Sequence, residues 1–157
     1  MKMKNILALA VLLGVTACNE EHKVKEDKAA FIQPSIVTDT VPNDTDDPAI
    51  WIHPTDLSKS MILGTDKDAN GGIYAFDLKG RIIPDKVIKP VGRPNNIDVE
   101  QGISVGDTLI DIAIFTERLT EKIRVISVPE MEYIDNGGIR VFEGEATEDD
   151  RACMGIS

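Results

Sequence analysis

The stretch from Asp46 to Leu78 limits what this chain can fold into, because it alternates short apolar runs with turn residues. The runs at 49–52, 61–64 and 72–78 are rich in β-branched and aromatic residues, and Gly, Pro, Asn and Asp separate them. Runs of this length and composition predict an antiparallel meander of β-strands. Charged residues stand where the strands end, so we expect a functional site at those ends.

The rest of the chain continues the strand pattern. Residues 81–88 are predicted to form an edge or bulged strand, because Pro84 cannot donate a ladder hydrogen bond. Residues 108–115 are apolar on both faces, which is typical of a strand buried on both sides. The turn 93–96 is predicted to lead into a strand at 97–100. No amphipathic helical pattern follows residue 30, so the predicted fold class is all-β.

Strand–turn–strand units without helices suit a sandwich, a barrel or a propeller. The sequence IYAFDL at 73–78 has a looser repeat, IRVISV, at 123–128. The separation is roughly the length of one propeller blade, which favours a β-propeller.

The N-terminus has the pattern of an export signal. Residues 1–17 carry two lysines, an apolar core too short to span a membrane, and small residues before Cys18. The sequence VTAC at 15–18 resembles a bacterial lipobox, in which the cysteine is lipidated. We therefore expect an exported lipoprotein, anchored through Cys18 in the cell envelope at the periplasm or cell surface, with 18–38 as a flexible tether. An ordinary signal peptide with an incidental cysteine is the alternative.

The charge balance narrows the choice of partners. Without residues 1–17 the chain keeps 15 basic against 27 acidic residues. This excess of negative charge disfavours nucleic acid and anionic membrane surfaces as partners. It favours hard cations, which prefer oxygen ligands.

Five ordered motifs carry a resemblance to a known family. They are DDPAIW at 46–51, TDK at 65–67, GIY at 72–74, NNID at 95–98, and DIA at 111–113 followed by Arg118. In this order and at these spacings, residues 39–157 resemble the N-terminal part of the β-propeller phytases. The resemblance implies a six-bladed propeller, of which this domain would supply two to three blades. It also implies bound calcium (Ca²⁺) and hydrolysis of the phosphomonoesters of myo-inositol hexakisphosphate (phytate) by a calcium-activated water.

The resemblance also implies roles for five residues. Asp47 would give its carboxylate to calcium, and Pro48 and Ile97 would give main-chain carbonyls. Lys67 would contact substrate phosphate as a compact charge, and Arg118 through a two-pronged fork of hydrogen bonds. Without the resemblance, the same residues would be interpreted as a turn, a plain strand residue and solvated surface charges.

Three other residues receive structural interpretations, and a fourth, Met154, departs from the family pattern. Trp51 is predicted to anchor the core, and His53 to be structural, since calcium does not favour imidazole. Cys153 is predicted to be a core thiol. Met154 stands where the family often has a tyrosine that contacts phosphate, and a thioether cannot donate that hydrogen bond.

A six-bladed propeller needs more than twice the length of residues 39–157. We therefore expect this chain to be part of a longer phytase-like lipoprotein, monomeric at full length, and we expect residues 19–157 alone to be inactive. Two alternatives stay open. One is a calcium-stabilised propeller lipoprotein that binds glycan or protein without catalysis, and the other is a calcium-dependent lactonase or esterase.

Overall fold

The computed structural model describes residues 32–143 and 153–156. The predicted signal at 1–17, the lipidation site Cys18 and most of the tether lie outside the described residues. All the strands belong to a compact unit that begins at Pro34. Among the described residues, no helix combines the length and the apolar character needed to cross a membrane.

Within the described ranges, eight strands form two antiparallel sheets, each with its strands in chain order. The first sheet contains β1 (Thr45–Trp51), β2 (Met61–Asp66), β3 (Gly71–Phe76) and β4 (Ile82–Val91). The second contains β5 (Pro94–Val105), β6 (Thr108–Glu117), β7 (Lys122–Val128) and β8 (Ile139–Arg140). The helical elements of the described part are two short 3₁₀ turns, Leu57–Lys59 and Arg118–Thr120. The predicted all-β class is therefore confirmed, and two successive four-stranded meanders are consistent with two blades of a propeller.

The strand predictions hold for β4 and for most of β6. Strand β4 lies at an edge of its sheet, and its register with β3 shifts between Tyr74 and Phe76, opposite the segment that contains Pro84. Strand β6 is buried mainly in its second half. The turn predicted over 93–96 is shorter than expected. Arg93 takes a left-handed conformation with φ of 56°, which completes the turn, so β5 already begins at Pro94.

The main core lies between the two sheets. Because side chains alternate across a strand, every second residue of each sheet points towards the other sheet. The largest fully buried side chains include Trp51, Phe115, Leu63, Ile73 and Ile126, which come from both sheets. A smaller cluster on the outer face of the first sheet packs Val41 against Tyr74 and Phe76.

Trp51 links the sheets as well as filling the core. It is 2% exposed, and its indole Nε1 donates a hydrogen bond of 2.7 Å to Asp111 Oδ2 on β6. The Gly102 amide donates to the other oxygen of Asp111 at 2.8 Å. Burial acts to raise the pKa of Asp111, but the hydrogen bonds from Trp51 and Gly102 outweigh it, and the pKa is lowered. The prediction that Trp51 anchors the core is confirmed.

The substitution Asp111→Asn is expected to destabilise the protein by about 1 kcal/mol at neutral pH, because an amide nitrogen would face a donor and the charged acceptor would be lost. The lowered pKa means that the carboxylate stabilises the fold above about pH 4 and loses this effect as the pH falls through the folded-state pKa. The difference in the free energy of unfolding between the variant and the wild type should therefore be smaller in acid. Urea unfolding at pH 7 and pH 3 measures this difference.

Asp85→Asn is the matched control, since Asp85 is an exposed carboxylate on β4. It should leave the free energy of unfolding unchanged at both pH values. Equal stability of Asp111→Asn and wild type at pH 7 would contradict a stabilising role for the charged acceptor.

Candidate functional site

One end of both sheets brings charged segments of the chain together. Thr45 at the start of β1 pairs with Asp66 at the end of β2, and Pro94 at the start of β5 pairs with Glu117 at the end of β6. The short connection from β4 to β5 reaches this end as well. We call it the charged end, and it consists of residues 44–48, 66–70, 92–97 and 117–122. All five predicted site residues lie in these segments, with Lys67 and Arg118 in turns and Asp47, Pro48 and Ile97 in the first residues of β1 and β5.

The Asp47 carboxylate joins β1 to β5. Its Oδ2 accepts hydrogen bonds from the Ile97 amide at 2.9 Å and from Asn96 Nδ2 at 3.2 Å. The Asp47 amide donates to Thr65 Oγ1 at 3.0 Å, and this hydroxyl donates to the Asn95 carbonyl at 3.1 Å. The structure therefore brings Asp47 and the main chain of Ile97 into direct contact. Residues 46–48 belong to a strand and not to the turn that their composition alone suggests.

Lys67 is held by two acidic residues, Asp44 just before β1 and Asp46 within it. Its Nζ lies 2.6 Å from Asp46 Oδ1 and 3.8 Å from Asp44 Oδ2. The hydrogen bond with Asp46 raises the pKa of Lys67, while burial and the positive charge of Arg93 act in the opposite direction. The ammonium group is thus charged and fixed at the charged end. Its partners therefore precede it by about 20 residues in the chain and are not its immediate neighbours.

Asp66 is a positioning residue that the sequence motif contained without a role. It is fully buried, and its carboxylate accepts the Asn43 amide at 3.2 Å, Asn43 Nδ2 at 2.9 Å and the Asp44 amide at 2.8 Å. These bonds fix the segment that leads into β1, and so they place Asp44 and Asp46 beside Lys67. A charged residue that ends an otherwise apolar strand was the available signal for this role.

Arg118 lies beside the connection between the sheets. It begins the 3₁₀ turn Arg118–Thr120, and its amide donates to the Arg93 carbonyl at 3.3 Å. The Arg93 amide in turn donates to the Asp68 carbonyl at 2.9 Å. Lys67 and Arg118 are therefore placed on either side of Arg93, at the same end of the two sheets.

A buried ion network supports this end from the second sheet. The Glu117 carboxylate accepts the Gly92 amide at 3.1 Å and Arg124 Nη1 at 3.0 Å, and Glu117 is only 8% exposed. Arg124 Nε donates to the buried Asp135 at 2.7 Å, and its guanidinium lies 4.1 Å from the ring centre of Tyr133. The register of β6 with β7 turns the Glu117 side chain towards Arg124.

The network also shifts the pKa values of its members. Burial acts to raise the pKa of Glu117, but the Gly92 amide and Arg124 outweigh it, so the pKa is lowered. Burial also acts to raise the pKa of Asp135, but hydrogen bonds from Arg124 and from the Val125 amide outweigh it, so this pKa is lowered as well. Burial acts to lower the pKa of Arg124, but its two carboxylate partners raise it. All three groups are therefore ionised at neutral pH.

The expected calcium ligands at the charged end are the Asp47 carboxylate and the main-chain carbonyls of Pro48 and Ile97. These groups are hard oxygen donors of the kind that calcium prefers. Calcium takes six to eight oxygen ligands. Within the described ranges, no cluster of three or more Asp, Glu, His or Cys side chains is placed to hold a metal ion. The donor chemistry thus fits calcium, and these residues would supply only some of the ligands.

A cleft of about 600 Å³ lies at the end of the sheets opposite the charged end, and its lining includes Trp51, His53, Asp111 and Pro129. His53 Nδ1 accepts the amides of Thr55 and Asp56, which agrees with its structural interpretation. The cleft therefore contains none of the predicted site residues.

The C-terminal residues of the described part come back to the charged end. Cys153 is 7% exposed, and burial raises the pKa of its thiol, as expected of a core cysteine. Its Sγ lies 3.8 Å from the Glu117 carbonyl and 3.7 Å from the Lys122 carbonyl. Met154 is 44% exposed, and its carbonyl accepts a hydrogen bond from Asn95 Nδ2.

The chain is similar to known proteins. A family model described as Phytase matches residues 2–137. A 3-phytase of Bacillus subtilis (strain 168) is 30% identical over 115 residues, which is 71% of this chain and 29% of that protein. The chain thus spans less than a third of the length of that curated relative.

The substitution Arg124→Gln is expected to destabilise the protein by about 3 kcal/mol at pH 7, because it leaves two buried carboxylates without their cation. The lowered pKa values of Glu117 and Asp135 stabilise the wild type above about pH 4, and this contribution disappears as the pH falls through the folded-state values. The variant should therefore lose less stability than the wild type between pH 7 and pH 3. Urea unfolding measures both.

Arg81→Gln is the control, because Arg81 forms an exposed ion pair with Asp77. This substitution should lower the free energy of unfolding far less than Arg124→Gln does, since exposed ion pairs contribute little to stability. If Arg124→Gln had the same acid dependence as the wild type, the network would not be a source of pH-dependent stability.

Proposed function

The chain belongs to the β-propeller phytase family, and on this premise we propose that the protein hydrolyses the phosphomonoesters of phytate with the help of calcium. The observation that carries the proposal is the charged end, where Asp47, Lys67 and Arg118 lie on adjoining segments of both sheets. The 3-phytase activity of the Bacillus relative supports the same substrate class.

The charge of the protein explains why the reaction requires bound cations. Phytate is a dense polyanion, and the chain itself has a formal charge of −10. A substrate of this kind can approach only where cations reverse the local sign of the field. Asp47 through its carboxylate, and Pro48 and Ile97 through their carbonyls, would hold calcium. When bound, calcium would supply Lewis-acid chemistry, polarising phosphate oxygens and increasing the acidity of a water.

The protein's own residues position the cationic side chains that would contact phosphate. Asp46 fixes the Lys67 ammonium at 2.6 Å, so that this charge is in place before substrate arrives. Arg118 would direct its planar fork at phosphate oxygens. Charges fixed in advance stabilise the transferring phosphoryl group without reorganisation during the reaction. The proposed roles are phosphate binding and transition-state stabilisation for Lys67 and Arg118, and calcium binding for the segment around Asp47.

Lys67→Ala and Arg118→Ala in the full-length protein are expected to lower the rate of phosphate release from phytate by about 100-fold each, because each removes a charge that stabilises the transferring phosphate. Lys79→Ala is the matched control, since Lys79 lies in the exposed turn between β3 and β4, at the opposite end of the sheet. Its rate should equal that of the wild type. A calcium chelator should abolish turnover in all of them.

A wild-type protein that binds calcium but releases no phosphate from phytate would overturn the proposed reaction. It would favour the other candidate, a calcium-stabilised propeller that binds glycan or protein without catalysis. Thermal unfolding of each variant, with and without calcium, separates a lost contact from a lost fold.

We also propose that the protein is a lipoprotein anchored in the bacterial cell envelope through Cys18. Support comes from the sequence alone, in which VTAC at 15–18 follows a basic and then apolar N-terminus. Cys18→Ser is expected to move the protein from the membrane fraction to the soluble fraction and to abolish metabolic labelling with radioactive palmitate. A wild-type protein that is soluble and unlabelled would show that the signal is an ordinary one.

A further inference from the structure

Arg93 adopts an unusual backbone conformation at the centre of the charged end. It belongs to the link between β4 and β5, and its φ of 56° lies in the left-handed region. Glycine adopts this conformation without steric cost, whereas a residue with a Cβ is strained there. Strain of this kind is found preferentially at functional sites. The side chain of Arg93 is therefore the feature of this turn that calls for an explanation.

The backbone of Arg93 is fixed from both sides. Its amide donates to the Asp68 carbonyl at 2.9 Å, and its carbonyl accepts the Arg118 amide at 3.3 Å. Asp68 directly follows Lys67, so the three cationic residues occupy three neighbouring segments of one end. The adjacent Gly92 is also constrained, because a Cβ there would lie 3.2 Å from Leu119 Cβ and its amide is bound by Glu117. The position of Arg93 relative to Lys67 and Arg118 is thus set by the main chain.

The charge of Arg93 is not compensated by the described part of the protein. Lys67 forms ion pairs with Asp46 and Asp44, but Arg93 forms neither an ion pair nor a side-chain hydrogen bond with any described residue. It is half-buried, and its charge is close enough to act on Lys67. An arginine that is partly removed from water without an acidic partner, in a chain with excess acidic residues, is well suited to bind an anion.

We propose that Arg93 is a third phosphate-binding residue, which acts together with Lys67 and Arg118 on an inositol polyphosphate. This inference rests on the proposed function, because it takes the charged end as the substrate site. The guanidinium of Arg93 binds phosphate oxygens through its fork of donors, in place of the carboxylate that the described residues do not provide. The left-handed backbone is retained because it holds this side chain between the other two cations.

The test compares three forms of the full-length protein in calcium-containing buffer. Arg93→Gln removes the charge and keeps a polar side chain, and Arg93→Gly removes the side chain while relaxing the backbone strain. Arg81→Gln is the charge-matched control, since Arg81 lies in the turn between β3 and β4, at the opposite end of the sheet. Binding of phytate is measured by isothermal titration calorimetry, and phosphate release is measured in parallel.

Both Arg93 variants are expected to bind phytate about 10- to 100-fold more weakly than the wild type, the effect of losing a hydrogen-bonded charge. Arg81→Gln is expected to bind like the wild type. Arg93→Gly should unfold at the same temperature as the wild type or higher, so its weaker binding cannot come from a damaged fold.

Unchanged phytate binding by Arg93→Gln and Arg93→Gly would overturn the inference and leave the proposed function intact. A wild type that binds phytate without hydrolysing it would overturn the proposed function, and the binding comparison would still decide the role of Arg93. A wild type that does not bind phytate would overturn both.

Discussion

The contact between β1 and β5 determines how the two sheets are joined, and the Asp47 carboxylate is its central polar interaction. This carboxylate accepts hydrogen bonds from the Ile97 amide and the Asn96 side chain, and the Thr65 hydroxyl on β2 donates to the Asn95 carbonyl beside them. Below it, Trp51 and Asp111 form a second link between the sheets. The apolar core lies between these polar contacts, so the sheets are joined by burial and oriented by directional hydrogen bonds. A calcium ion bound at Asp47 would therefore add to a joint that side chains already define.

Most acidic residues at the charged end bind either main-chain amides or a cationic side chain. Asp66 and Glu117 are buried, and both accept main-chain amides, so they fix the loops of this end. Asp46 forms an ion pair with Lys67. Arg124 is enclosed between Glu117 and Asp135. The acidic residues of this region are thus largely engaged in positioning cations and backbone, which makes a site for a polyanion possible in an acidic protein.

The sequence predicted the fold class and the approximate strands, because alternation of apolar residues and the placement of Gly, Pro and Asn reflect local chemistry. It did not predict the contacts between distant segments. Asp47 and Ile97 are far apart in the chain, and only the family resemblance suggested that they act together. The pairing of Glu117 with Arg124 depends on the register of β6 with β7, which residue types alone do not specify. Arg93 was assigned to a turn, since nothing in a single sequence indicates that its φ is positive.

The link between the sheets consists of only Gly92 and Arg93, between the end of β4 and the start of β5. Main-chain hydrogen bonds or close neighbours constrain both residues, so the backbone of the link cannot change its conformation freely. Insertions there would separate the two sheets and move all three cations at once. The connection 52–60 between β1 and β2, at the other end of the first sheet, is longer. Loop length should therefore diverge among related proteins in that connection, while the link between the sheets keeps its length.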